Sequence, residues 1–190
     1  MNKFEVVSKY ITDKGETTVR LPVRATAHSA GYDFYVAEQM VIPSYKKLSK
    51  MIKGYVSPKI PYPMDDMKRI TKGLGLRPSL VPTGVKCQLD DDKYLEISMR
   101  SSTPLNSWLI LANGIGIIDS DYYNNPDNEG EIFFQVINLS PVDIVLNPGD
   151  KIGQGIIKTY SVVEDDAATG ERTGGFGSTG GGSGQNNLSK

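Results

Sequence analysis

Residues 113–122 read Asn-Gly-Ile-Gly-Ile-Ile-Asp-Ser-Asp-Tyr, and the way this stretch folds decides how the rest of the chain is arranged. Gly114 and Gly116 stand close together, where a backbone has to turn tightly or approach a ligand closely. Ile117 and Ile118 then deliver Asp119 and Asp121, with the aromatic Tyr122 beside them. An apolar strand ending in a carboxylate can hold that acid rigidly over a pocket and exclude much of the water. By itself the stretch also reads as a β-hairpin with an acidic end, so the flanking segments carry the decision.

Upstream, residues 109–112 are a short strand leading into the hairpin. Residues 94–99 alternate as a strand and run into Arg100-Ser101-Ser102, a cation and two hydroxyls at a strand end. Downstream, residues 123–130 are a long polar loop. Residues 131–138, 142–146 and 151–160 read as further strands, with Asn147-Pro148-Gly149-Asp150 as a turn. Residues 3–11, 32–37 and 40–42 also fit strands, as does 79–88 with turn signals at Pro82-Thr83-Gly84. Many short strands punctuated by turn residues predict an all-β antiparallel barrel or sandwich.

Two segments break this texture. From residue 45 to 78 there are nine Lys/Arg and two Asp, a local charge of +7 that leaves the remainder at -8. Leu48, Met51, Ile52 and Tyr55 fall at i, i+3, i+4, i+7, which predicts a short helix with Ser44 as N-cap and Gly54 as its C′ residue. Met64, Met67 and Ile70 predict a second helix closed by Gly73, so 45–78 reads as a helical insertion into a β chain. The other exception is 169–184, dominated by Gly, Ser and Thr around Phe176. That composition builds no core and predicts a tail that is mobile when unliganded.

The chain has 190 residues and a net charge of -1, enough for one domain with a substantial core and too little positive charge for a general nucleic-acid coat. No apolar run reaches the roughly 18–20 residues of a membrane span, and the start carries no signal-like apolar region. Cys87 is the only cysteine, which excludes an intrachain disulfide and fits a reducing cytoplasm. His28 is the only histidine, so zinc chemistry is disfavoured while a carboxylate-held cation such as Mg²⁺ stays open. His28 is expected at the surface, Cys87 in the core, and Trp108 in the core or between subunits.

The run Gly174-Gly175-Phe176-Gly177-Ser178-Thr179-Gly180 offers backbone N–H groups and hydroxyls suited to phosphate oxygens. Arg172 before it adds a charged fork for a terminal phosphate. The run lacks the lysine and following helix of a Walker loop. Phe176 is placed to close over a flat base by stacking. A flexible Gly/Ser terminus has the same composition, so these residues alone leave both readings open.

Taken in order, these segments resemble the five motifs of the homotrimeric dUTP pyrophosphatase (dUTPase) family. Ala30-Gly31-Tyr32-Asp33 resembles the first and Arg100-Ser101-Ser102 the second. Residues 116–122 are similar to the third, the most specific. Residues 148–154 resemble the fourth, and 172–180 the fifth. The resemblance implies a jelly-roll fold, or distorted β-barrel, over 1–166 and a flexible C-terminal arm over 167–190. It further implies hydrolysis of dUTP to dUMP and pyrophosphate with Mg²⁺, which limits uracil incorporation into DNA, at active sites shared between subunits and capped by a neighbour's arm.

By position, the resemblance makes Asp119 the acid that activates the attacking water. Tyr122 would pack on the deoxyribose, where a 2′-hydroxyl would collide. Asn113, with the hairpin backbone around Gly116, would read the uracil edge. Arg100, Ser101, Ser102 and Gln154 would hold phosphates, and Asp33 would help organise the metal through its water. Arg172, Gly177, Ser178 and Thr179 would grip the outer phosphates while Phe176 stacks over uracil.

The chain departs from the family pattern in four places. Met99 stands where proline is usual, Lys151 where arginine is frequent, the spacing after Arg172 is one residue short, and 123–130 lengthens the turn. On the same fold a dCTP deaminase or bifunctional relative is the enzymatic alternative. A nucleotide-sensing regulator that binds a protein through 45–78 is the alternative from another class. No membrane and no stable nucleic-acid partner are expected.

Overall fold

The computed structural model describes residues 1–57, 59, 61–74, 76–172 and 174–175. Period-two alternation governs the strands. In residues 93–99 Leu95 and Ile97 point inward while Tyr94, Glu96 and Ser98 stay partly exposed. In residues 133–138 Phe134, Val136 and Asn138 take the buried positions. A strand alternates its side chains between two faces, so each of these segments must cover a core with one face.

In chain order the elements are β1 (Lys3–Val6), β2 (Val23–Arg24), β3 (Tyr32–Tyr35), β4 (Met40–Ile42), α1 (Tyr45–Lys53), α2 (Met64–Gly73), β5 (Ser79–Pro82) and β6 (Val85–Gln88). There follow β7 (Lys93–Met99), α3 (Ser102–Ser107), β8 (Leu109–Leu111), β9 (Gly116–Asp119), β10 (Phe133–Asn138), β11 (Ile144–Leu146) and β12 (Lys151–Thr159). The main sheet runs β2-β3-β12-β7-β9, a second runs β5-β10-β8, and β1-β6 and β11-β4 are two-stranded. Every strand pair in these sheets is antiparallel. The result is a mostly-β jelly-roll with little helix.

Phe34 of the main sheet meets Phe134 of the second at 5.7 Å between ring centroids. Leu95, Ile152, Val81 and Leu109 fill the space around them, each 1% exposed or less. Gly153 lets these layers close, because a Cβ there would stand 2.0 Å from Phe134 Cε1 and 2.6 Å from the Ser98 carbonyl. Cys87 is buried in the same core, and burial pushes its thiol up to about 12. His28 is exposed.

Several local expectations are corrected. The strand expected over 3–11 stops at Val6 and becomes a 3₁₀ turn over Ser8–Tyr10, since Tyr10 turns in to pack with Val7 and Val19. The expected strand 79–88 is two strands in different sheets. It breaks at Gly84 (φ 69°) and at Thr83, whose buried hydroxyl donates to the Ile132 carbonyl at 2.7 Å. Ser44 caps α1 as expected, accepting from the Lys47 N–H at 3.2 Å. Gly54, however, is right-handed (φ -75°) and serves as C-cap rather than as a left-handed C′ residue. Neither α1 nor α2 has a fully buried residue.

Helix α3 was not foreseen. It ends at Trp108, which is left-handed (φ 56°). Trp108 is 62% exposed, so of its two expected places, the core or between subunits, the core is overturned.

Candidate active site

The hairpin between β8 and β9 does not close on itself. β8 pairs with β10 and β9 pairs with β7, and the two strands do not pair with each other. Residues 112–115 therefore span a gap. Gly114 makes the turn at φ 73°, and its N–H donates to the Leu111 carbonyl at 3.1 Å. Gly116 is needed for a different reason, since a Cβ there would lie 2.6 Å from Ile97 Cγ1. Between the strands lies a half-open cavity of about 170 Å³, whose lining includes Leu111, Asn113, Gly116, Ile118, Asp119, Tyr122 and Arg172.

Asp119 ends β9 opposite Tyr94 of β7. Its side chain is 50% exposed, so this chain alone does not supply the expected exclusion of water. Arg172 lies across the cavity mouth, with Nη2 2.5 Å from Asp119 Oδ2 and Nε 2.7 Å from Asp121 Oδ1. Its guanidinium stands 5.8 Å from the centroid of the Tyr122 ring. Burial works against the charge on Arg172, but Asp121 and Asp119 outweigh it and raise the pKa. Tyr122 is buried, and that burial pushes its phenol up. Its hydroxyl donates to the Glu131 carbonyl at 3.0 Å and accepts from Asn128 Nδ2 at 2.8 Å.

A second group gathers further along the main sheet. Asp33, Gln154 and Ser98 stand side by side on β3, β12 and β7. Asp33 is buried and faces two cations, Arg100 Nε at 3.1 Å and Lys151 Nζ at 2.8 Å. Gln154 Nε2 donates to Ser98 Oγ at 3.5 Å. Gly31 leaves room for this glutamine, because a Cβ there would sit 2.7 Å from Gln154 Oε1. Ser101 is exposed and Ser102 half-buried at the start of α3, and Ser101 makes no side-chain cap.

The register sets the distance between the groups. Asp119 lies opposite Tyr94 and Gln154 opposite Ser98. Four residues of strand correspond to about 13 Å. One chain thus unites Asn113, Gly116, Asp119, Tyr122 and Arg172, and separately unites Asp33, Arg100 and Gln154 beside Ser101 and Ser102. Phe176, Gly177, Ser178 and Thr179 lie outside the described residues.

Sequence reading missed the two cations on Asp33. The only signal was Lys151 standing in a family position for arginine. It also missed Asn125 and Glu131, both buried. Among the described residues no three His, Cys, Asp or Glu cluster as a metal cage. A buried carboxylate committed to two cations suits a hydrated ion better than direct ligation.

Residues 73–180 match the dUTPase family model. Over 179 residues the chain is 35% identical to a deoxyuridine 5′-triphosphate nucleotidohydrolase of Lactococcus lactis subsp. lactis (strain IL1403), spanning 93% of this chain and 96% of that protein. The crystal structure of dUTPase from Streptococcus mutans superposes with a TM-score of 0.62 at 34% identity, over 85% of this chain and 98% of that one. A mutant dUTPase from phage phi11 of S. aureus shares the fold at 16% identity and a TM-score of 0.55, over 88% and 96% of the two chains. Its structure details the coordination of a structural Mg(II) ion. On the family model's match over more than half of its length and the 35% identity to a full-length relative, the chain belongs to the dUTPase family.

Proposed function

We propose that this protein hydrolyses dUTP to dUMP and pyrophosphate at sites assembled between chains of a homotrimer. The observation that carries the reading is the gaping β8–β9 hairpin, a pocket with Asp119 and Arg172 at its mouth. The edges of β8 and β9, which do not pair with each other, suit the uracil edge, together with Asn113. Rejecting thymine by its methyl is worth roughly 1–3 kcal/mol. Rejecting cytosine is stronger, because reversed donors and acceptors leave buried groups unpaired. Asp119 accepts a proton from the water that attacks the α-phosphorus, help worth typically about 10²–10⁴-fold.

Arg100, Ser101, Ser102 and Gln154 hold the phosphates. Gln154 stands about 13 Å along the sheet from Asp119 of its own chain and the other three lie further on, a spacing that suits sites completed by a neighbouring subunit. Trp108 and the exposed end of α3 then face such a neighbour. The arm beyond residue 166, with Arg172, Phe176, Gly177, Ser178 and Thr179, closes the site. A Mg²⁺ ion, when bound, would supply charge neutralisation on the triphosphate. Asp33 fits this role through water, since each oxygen that accepts from Arg100 or Lys151 has a second lone pair.

Pyrophosphate release measured across dUTP, dTTP, dCTP and UTP tests the reading, with dUTP expected to dominate by at least about 10²-fold over UTP and dCTP. Ammonia release from dCTP would establish the deaminase instead. No helix among the described residues is long and apolar enough to cross a membrane, and a cytoplasmic site suits the free Cys87.

A second role is compatible with this chemistry, that of a regulator binding a protein through residues 45–78. It is favoured by α1, which carries four lysines and no acid and has no fully buried residue. Deleting 45–78 is expected to leave turnover within about threefold and to abolish partner capture. Loss of turnover would make the segment part of the catalytic fold.

A further inference from the structure

Between Tyr122 and Glu131, Asn125 and Asn128 turn back onto the loop's own backbone and onto Tyr122. Asn125, 5% exposed, donates from Nδ2 to the Tyr122 carbonyl at 3.0 Å and to Asn128 Oδ1 at 2.8 Å. Its own Oδ1 accepts the N–H groups of Asp127 and Asn128 at 3.1 and 3.3 Å. Asn128 Oδ1 also accepts the Gly130 N–H at 3.0 Å. Its Nδ2 donates to the Tyr122 hydroxyl, which passes its own hydrogen to the Glu131 carbonyl. Gly130, at φ 80°, admits no side chain, as a Cβ would lie 2.5 Å from the Tyr122 carbonyl.

Tyr122 is therefore held at its backbone and at the tip of its ring by one loop. On another side it meets the arm, where a Cβ on Gly175 would stand 2.9 Å from Tyr122 Cε2 and Arg172 lies over the ring. A buried amide, Asn125, and a half-buried one, Asn128, that satisfy each other and the backbone form a stiff unit, because releasing either leaves a polar group that water reaches poorly without its partner.

We propose that the loop over residues 123–130 is a positioning device for the sugar subsite, and that Asn128 is its specificity-determining residue. By holding the Tyr122 hydroxyl it fixes the ring on which a 2′-deoxyribose rests, so that the ring cannot retreat from a 2′-hydroxyl. This inference rests on the dUTP reading above. A misplacement of about 1 Å at such a contact is enough to cost on the order of 10²-fold, so a fixed ring matters more than a present one.

The test uses full-length protein and the ratio of kcat/KM for dUTP to that for UTP. Asn128→Asp keeps the acceptor for Asn125 and Gly130 but offers the Tyr122 hydroxyl no donor, while that hydroxyl's hydrogen is already committed to Glu131. The ratio is expected to fall by about tenfold, mainly because UTP is used better once the ring can give way to its 2′-hydroxyl, with a modest drop in Tm from the lost hydrogen bond. Tyr122→Phe should lower the ratio similarly, and the double variant should fall no further, as expected for partners in one network.

An unchanged ratio in both single variants, or full additivity in the double, overturns the proposal. If Asn128→Asp does not fold, Tyr122→Phe decides, since it removes only the hydroxyl. A wild-type protein that releases no pyrophosphate from dUTP overturns the functional reading and this inference with it. An active wild type with unmoved ratios overturns only the role of the loop.

Discussion

Asp119→Asn is expected to bind dUTP with near-normal affinity and to lose turnover by at least about 10²-fold. The substitution preserves shape and one acceptor oxygen, so the β9 backbone pairing with β7 and the cavity wall are untouched. What disappears is the group able to take a proton from water. Stability should hardly move, because the side chain is half-exposed and its ion pair with Arg172 is screened by solvent. Rapid-quench turnover alongside direct nucleotide binding separates the two effects. Asp121→Asn is the control: it removes the other carboxylate facing Arg172 but leaves the proposed base, and it should retain most of the activity. Near-normal turnover in Asp119→Asn would remove this residue as the base.

Truncation after Asp166 is expected to leave a folded, assembled protein whose kcat/KM for dUTP is down by roughly 10²–10³-fold, the range seen when a preorganised charge is taken from a transition state. Residues 161–171 are exposed throughout, and the described hydrophobic core clusters draw no residue from beyond Asp166. Arg172 leaves with the arm, and with it the only cation that the described residues place on both Asp119 and Asp121. Thermal melting and light scattering should match the full-length protein. Unfolding on truncation would make the arm a structural element rather than a cover.

Some of this was legible in the sequence. The turn at Gly114, the strand ending at Asp119 and the Asn147–Asp150 turn are short-range features, and glycine and proline specify them through their own backbone preferences. Ser44 was legible as a cap because its partner is three residues away. The break at Thr83 was not, since the Ile132 carbonyl that takes its hydroxyl lies 49 residues on. Lys151 on Asp33 spans 118 residues. The exposure of Trp108 depends on a left-handed cap that no period announces. In Asn125 and Asn128, an ordinary polar-loop composition concealed a hydrogen-bond network that is partly buried.

The sequence by itself determined the inventory: which acids, cations and glycines the protein has, in which order, and the local turns that aim them. Only the tertiary structure decided the spacing, because an antiparallel register fixes separation at about 3.3 Å per residue. That register puts Asp119 opposite Tyr94 and Gln154 opposite Ser98, so Asp119 and the group around Gln154 are held apart within one chain. The tertiary structure also brings Arg172, outside every strand, onto Asp119 across 53 residues, where the opposite charges pair.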